Sequence, residues 1–205
     1  MGQERLKRLQ AELKACQIDC AALLPGANMR YLIGLDFHLM ERPTILLIPS
    51  NGPAAFVLPA LEHYKVEQAG LAGIQLLPYT DERGPAEAAR QAIAALPEIR
   101  TLAVEYLRMR VLELRLVQRY LPDAVLTDAG PLMETLRLIK SPDEIACMRR
   151  AIDITERALA STIDWFRPGV TESQVASRLS IAMLEAGAGA LPFEPTVLAG
   201  PNAAR

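Results

Sequence analysis

Histidine and cysteine, the side chains that most often bind metals or act as nucleophiles, are few and scattered in this sequence. Its 205 residues contain two histidines, His38 and His63, and three cysteines, Cys16, Cys20 and Cys147. A hydrolytic metal centre needs several His, Asp or Glu ligands that converge on one point. The histidines lie in separate segments and the cysteines form no CxxC pair. The sequence therefore predicts surface histidines and free, buried thiols rather than a metal site or a disulfide framework.

The sequence also lacks the common motifs for nucleophilic catalysis and phosphate binding. It has no GxSxG elbow, no GxxxxGK[ST] loop and no GxGxxG fingerprint. The glycines at 187 and 189 follow a predicted helix, so we interpret them as a helix stop rather than as a phosphate loop. Residue types alone therefore predict neither catalytic residues nor metal ligands in this chain.

Charge and hydropathy exclude two classes of partner. Lysine and arginine number 22 against 24 aspartates and glutamates, and this net charge of -2 offers no basic excess to neutralise a phosphate backbone. The longest uncharged stretch, residues 43–61, is interrupted by prolines and cannot form one membrane-spanning helix. The N-terminus carries charges but no apolar core of the signal-peptide type. We therefore expect a cytoplasmic protein with no nucleic acid and no membrane as partner.

The elements that must position any site alternate between strand and helix over the first two thirds of the chain. Short apolar segments predict strands, and apolar residues at three- and four-residue spacing predict helices. The predicted strands cover residues 20–24, 44–48, 54–58, 74–77, 101–105 and 124–126, and the predicted helices cover residues 4–16, 61–69, 85–96 and 111–121. The short turn before residue 54 favours a hairpin, so the fold class is α/β with a mixed sheet flanked by helices.

A different pattern begins near Ser141. SPDE at residues 141–144 and TESQ at residues 171–174 are capping boxes, and each predicts the start of a helix. Residues 193–198 predict a single strand that begins at Phe193. We place the domain boundary between Asp128 and Ser141, with domains at residues 1–132 and 133–205.

One strand cannot cover two amphipathic helices, because a lone strand leaves its own hydrogen-bonding groups unpaired. We therefore expect partly exposed apolar side chains on the first of these helices, at Ile145, Met148, Ile152, Leu159 and Ile163. This imbalance predicts that the region is the beginning of a larger domain that continues beyond Arg205.

Five segments, all in the expected order, resemble motifs of one enzyme family. RLIKSPDEI at residues 137–145 is similar to the entry helix of the pita-bread metallopeptidases, and PGVTE at 168–172 to the corner that follows it. MLEAGA at 183–188 resembles the next helix end, and FEPTVLAGPNA at 193–203 resembles the next strand. NMRYLIG at 28–34 resembles a segment of the creatinase-type N-terminal domain. The chain thus resembles the Xaa-Pro dipeptidase (prolidase) and aminopeptidase P family, of which creatinase is a relative.

The resemblance implies a creatinase-type N-terminal domain followed by the first helices and strand of a truncated pita-bread α+β domain. It implies a hydrolase for Xaa-Pro bonds in dipeptides or at peptide N-termini that uses two divalent ions, commonly manganese or cobalt. In the family the ligands are two Asp, one His and two Glu, which follow the segment at which this sequence ends. We therefore expect the 205-residue chain to bind no metal and to be inactive alone. The resemblance also implies that Phe193 lines the substrate pocket and that the complete protein is a homodimer.

Two other functions stay open at this point. The chain could belong to a non-catalytic binding protein that retains the peptidase-like domain, or to a creatinase-like hydrolase that does not cleave peptides. The pocket residues that distinguish these classes in the family lie downstream of residue 205.

Overall fold

The computed structural model describes residues 2–204 and divides the chain into two compact units between Ile139 and Lys140. The helices are α1 (Gly2–Ala15), α2 (Ala27–Ile33), α3 (Ala60–Gln68), α4 (Ala86–Ala94), α5 (Val111–Gln118), α6 (Gly130–Leu138), α7 (Pro142–Trp165) and α8 (Glu172–Glu185). The strands are β1 (Cys20–Leu23), β2 (Ile45–Pro49), β3 (Ala54–Pro59), β4 (Ile74–Tyr79), β5 (Thr101–Val104) and β6 (Val125–Asp128). A short 3₁₀ helix covers Gly200–Ala204.

The first unit is built on a mixed six-stranded sheet with the order β4-β3-β2-β1-β5-β6. Strand β2 runs antiparallel to both β1 and β3, whereas β1, β5 and β6 run parallel to one another and β3 runs parallel to β4. All six predicted strands are present, and the predicted α/β class with a mixed sheet is confirmed. Because β2 reverses the chain, the carboxyl ends of the other five strands meet at one edge of the sheet.

Both faces of the sheet are covered, which explains why its central strands are continuous apolar runs. Every residue of β1, β2 and β3 is buried. One face packs against α1, α2, α3 and α6, and the other packs against α4 and α5. Gln10 fixes the β2–β3 turn, because its side-chain amide donates to the carbonyl oxygens of Pro49 at 2.9 Å and Gly52 at 2.8 Å.

Helix α6 belongs to the first unit. Leu132, Met133 and Leu136 are buried in the same core cluster as α1. The structure separates the units after Ile139, which lies in the interval from Asp128 to Ser141 where the sequence pattern places the boundary. The domain bounds 1–132 and 133–205 stay a prediction. Helix α6 buries its apolar face in the first unit, and the sequence pattern predicts neither this helix nor α2.

The second unit contains the two predicted helices with their capping boxes. The Ser141 hydroxyl accepts from the backbone N–H of Glu144, and the Thr171 hydroxyl accepts from that of Gln174. The exposure predicted for the apolar side chains of α7 is confirmed, with Ile145 at 41% and Ile163 at 61% exposed and the other three between these values.

The strand predicted for residues 193–198 is wrong. These residues form no strand in the structure, and residues 140–204 contain no strand with which they could pair. A strand is stable only when its backbone groups pair with a neighbouring strand, which the local sequence pattern does not reveal.

The three cysteines differ in their surroundings. Cys20 is buried in β1, and burial raises the pKa of its thiol far above the usual value. Cys16 and Cys147 are exposed, so the predicted burial is correct for Cys20 only, although all three thiols are free as predicted.

We predict that two thiols of the native protein react rapidly with a disulfide reagent at pH 8 and that the third reacts only in denaturant. The reason is that the thiolate is the nucleophile, and Cys20 is both inaccessible and held protonated. The measurement is the absorbance of released thionitrobenzoate. Cys20→Ala is the control, and it should leave the native count unchanged and remove only the slow thiol; equal rates for all three would contradict the assignment.

A second prediction concerns Tyr79, which is 7% exposed and whose hydroxyl donates to the Pro43 carbonyl at 2.9 Å. Tyr79→Phe should lower the free energy of unfolding by about 1 kcal/mol, because a buried hydrogen bond is lost. Tyr106→Phe, at an exposed site, should change it by less than about 0.5 kcal/mol. Urea unfolding at pH 8 gives both values.

The same residue makes stability depend on alkaline pH. Burial and then the charge of Asp81 raise the pKa of Tyr79 to about 12 from its usual 10. The folded state therefore favours the protonated phenol, so this contribution is complete below pH 10 and is lost as the pH rises towards 12. Absorbance titration at 295 nm should show one late-titrating tyrosine that Tyr79→Phe removes.

Candidate functional site

The residue proposed from the family resemblance lies on the surface of the second unit. Phe193 is 76% exposed and belongs to no helix or strand. Its role in a substrate pocket stays a prediction.

The histidines do not form a metal site with their neighbours. His38 is exposed in the loop after α2, and His63 is half-buried on α3 rather than on a fully solvated helix face. Within residues 2–204, no group of three or more His, Cys, Asp or Glu side chains is arranged to hold a metal ion. The described side chains therefore do not fit the metal pair that the family resemblance implies, and no catalytic step can be derived from them.

A buried carboxylate instead organises the carboxyl edge of the sheet. Glu105 directly follows β5 and is only 7% exposed. The backbone N–H of Leu24, just after β1, donates to its Oε2 at 3.0 Å, and the Asn28 side-chain amide donates to its Oε1 at 2.9 Å. A buried charge is costly unless such donors surround it. Glu105 thereby connects the ends of two parallel strands to α2.

Asn28 extends this network to α6. Its Oδ1 accepts from Nη1 of Arg137 at 2.7 Å. The neighbouring carbonyl of Leu136 accepts from the Tyr31 hydroxyl at 3.1 Å and from Nη2 of Arg8 at 3.3 Å. The last turn of α6 is therefore held by side chains of α1 and α2.

Arg108 lies against the loop that opens α2. Its Nε donates to the carbonyl of Pro25. Gly26 has φ of +159° and ψ of -169°, a region that only glycine adopts readily. A Cβ at this position would also lie 2.3 Å from Nε of Arg108. Glycine is thus required by the backbone conformation, and a Cβ here would in addition force the guanidinium group of Arg108 to move.

Arg108 and Arg137 line an open cleft of about 590 Å³ at this edge of the sheet. The polar part of its lining also includes Arg5, Arg30, His38 and Asp36. In open α/β sheets, ligands bind outside the carboxyl ends of the strands. The sequence analysis missed Glu105, Arg108 and this cleft. One signal in the sequence could have identified Glu105, namely a carboxylate directly after an apolar strand. A carboxylate that is buried in such a position usually has a partner or a function.

In the second unit, the carboxylate of Glu172 accepts two hydrogen bonds from the segment near residue 200. Its Oε1 accepts from the backbone N–H of Ala199 at 2.6 Å, and its Oε2 accepts from Nδ2 of Asn202 at 2.9 Å. The carboxylate in the first turn of α8 therefore holds the segment that contains the 3₁₀ helix. This contact links two of the motifs noted in the sequence, PGVTE and FEPTVLAGPNA.

Comparison with curated proteins finds relatives that are longer than this chain. An uncharacterized peptidase of Staphylococcus saprophyticus is 28% identical over 98% of this chain and 55% of its own length. The probable dipeptidase PepE of Mycobacterium tuberculosis is 27% identical over 97% of this chain and 55% of its own length. The chain thus spans about half the length of the curated relatives it matches.

Among the described residues, no helix is both long and apolar enough to cross a membrane.

Comparison with solved structures and with family models agrees with the fold. The recombinant prolidase from Thermococcus sibiricus matches with a TM-score of 0.90 and 25% identity, over 98% of this chain and 55% of that protein. Residues 146–205 match the model of metallopeptidase family M24, a family that implies divalent metals. Residues 5–139, about two thirds of the chain, match the model of the creatinase/prolidase N-terminal domain. The chain therefore belongs to the creatinase/prolidase N-terminal domain family.

Proposed function

We propose that this chain is the N-terminal portion of a metal-dependent peptidase that cleaves Xaa-Pro bonds in dipeptides or at peptide N-termini. The observation that carries the proposal is that two family matches follow one another along the chain, an N-terminal domain over residues 5–139 and a metallopeptidase region over residues 146–205. The similarity to a prolidase fold over 98% of the chain supports the same reaction class.

We assign different tasks to the two parts of the chain. The N-terminal domain, at residues 1–132 by its sequence pattern, is non-catalytic, and the region from residue 133 to residue 205 begins the catalytic domain. The division of the structure after Ile139 supports this arrangement in two parts. The two divalent ions, manganese or cobalt, would be held by ligands outside the described residues, which offer no suitable cluster of donors. We further infer a cytoplasmic homodimer for the complete protein.

The direct test is hydrolysis of Xaa-Pro dipeptides by the protein at the length its gene encodes. With Mn²⁺ or Co²⁺ added, we expect proline release from Ala-Pro and little release of the second residue from Ala-Ala. A chelator should abolish the activity, and the same metal should restore it. The 205-residue chain alone should release no proline. A complete protein that cleaves neither Ala-Pro nor the first bond of a longer Ala-Pro peptide would refute the proposed reaction, and an active 205-residue chain would refute the inference about the metal ligands.

A second test addresses Phe193 in the same complete protein. If its ring contacts the substrate side chain, Phe193→Ala should raise KM for Xaa-Pro dipeptides about fivefold with little change in kcat, because an apolar contact in the ground state is lost. Phe193→Leu should restore most of the affinity. Phe166→Ala removes another exposed ring and serves as the control. A KM equal to that of the unmodified protein would remove Phe193 from the pocket.

A further inference from the structure

The cleft at the carboxyl edge of the sheet concentrates positive charge in a chain that is otherwise slightly acidic. Four arginines, Arg5, Arg30, Arg108 and Arg137, line it, and Asp36 is the only carboxylate among its described lining residues. The whole sequence has 22 basic and 24 acidic residues, so this excess is local and does not reflect the average composition. Such a concave region of one sign raises the local concentration of ligands of the opposite charge.

Two of these guanidinium groups are held in place without being neutralised. Nε of Arg108 donates to the Pro25 carbonyl, and Nη1 of Arg137 donates to the Asn28 amide oxygen at 2.7 Å. Both acceptors are neutral oxygens, so the group that orients each arginine does not offset its positive charge. Among the contacts of residues 2–204, neither of the two arginines pairs with a carboxylate.

The two groups line the same cleft, and their acceptors lie within one four-residue segment, residues 25–28. Guanidinium groups that are oriented in advance lose less side-chain entropy when they bind an oxyanion, and their planar arrangement of donors suits carboxylate and phosphate equally. Gly26 leaves room for Arg108, since a Cβ there would displace its guanidinium group.

Two nearby carboxylates, Glu105 and Asp36, are outnumbered by the four arginines that line the cleft. Glu105 is not part of the lining, and its two oxygens accept hydrogen bonds from the backbone N–H of Leu24 and the side-chain amide of Asn28. Asp36 contacts Arg30 at 3.5 Å, but both side chains are more than half exposed, so their attraction is weakened by solvent.

We propose that this cleft binds a small organic anion that carries two or more carboxylate or phosphate groups. Its volume of about 590 Å³ is in the range of small-molecule sites. The two oriented guanidinium groups would bind the oxyanions, and Arg30 would add attraction at the rim. The proposal concerns binding by the first unit and does not depend on the proposed peptidase activity.

The test is isothermal titration of the 205-residue protein with citrate and with pyrophosphate, each against sodium chloride at the same ionic strength. We expect saturable binding at one site for at least one of the two anions. Binding of citrate alone identifies a carboxylate ligand, and binding of pyrophosphate alone identifies a phosphate ligand. If neither anion gives more heat than the chloride control, the proposal is overturned.

Variants then locate the site. Arg108→Gln should weaken binding at least about tenfold, because a charged hydrogen-bonding group is removed. Arg108→Lys keeps the charge but not the planar donors, so its affinity should lie between those of Arg108→Gln and the unmodified protein. Arg115→Gln removes the same charge from an exposed position of α5 and should bind as tightly as the unmodified protein.

Arg30→Gln provides a variant whose folding is not in question, because this side chain is 67% exposed. It should weaken binding about threefold, as expected for a charge at the rim. Circular dichroism and the melting temperature of each variant confirm that it is folded. Equal affinity of folded Arg108→Gln and the unmodified protein would show that the anion binds elsewhere and would overturn the proposal.

Discussion

The first unit depends on how it accommodates the buried carboxylate of Glu105. A carboxylate removed from water is strongly destabilising unless hydrogen-bond donors replace the lost solvent. Here the backbone N–H of Leu24 and the amide of Asn28 supply them, so the ends of β1 and β5 and the start of α2 must stay together. Glu113, the other buried glutamate, is instead paired directly with the guanidinium of Arg110. The protein thus uses neutral donors for one buried charge and an ion pair for the other.

This difference has a consequence for the surface above Glu105. An ion pair would place a cation directly against Glu105. Instead, the neutral amide of Asn28 donates to Glu105 through its nitrogen and accepts from Arg137 through its oxygen. The carboxylate is therefore stabilised without a direct ion pair to Arg137, which lines the cleft. One amide side chain in this way serves both the stability of the core and the electrostatic character of the edge of the sheet.

The sequence predicted those parts of the fold whose causes are local. Short apolar segments located all six strands, and the capping boxes at Ser141 and Thr171 located the two long helices. Helix α2 was missed because it follows Gly26 and has no side-chain cap. The Glu105 network could not be predicted, since its partners Leu24 and Asn28 lie 81 and 77 residues away in the sequence. The burial of a charged residue at a strand end is decided by these distant groups.

The two units differ in whether the apolar faces of their helices pack against a sheet. In the first unit the six-stranded sheet covers one face of α1 and of α6, and the apolar residues on those faces, such as Leu9 and Leu136, are buried. In the second unit, within residues 140–204, α7 and α8 bury few residues, mainly small ones such as Ala158 and Ala182. Apolar side chains such as Ile152, which is 54% exposed, gain little of the roughly 1.5–3 kcal/mol that full burial provides. Stability is therefore concentrated in the first unit, which is also the part of the chain whose polar network orients the arginines of the cleft.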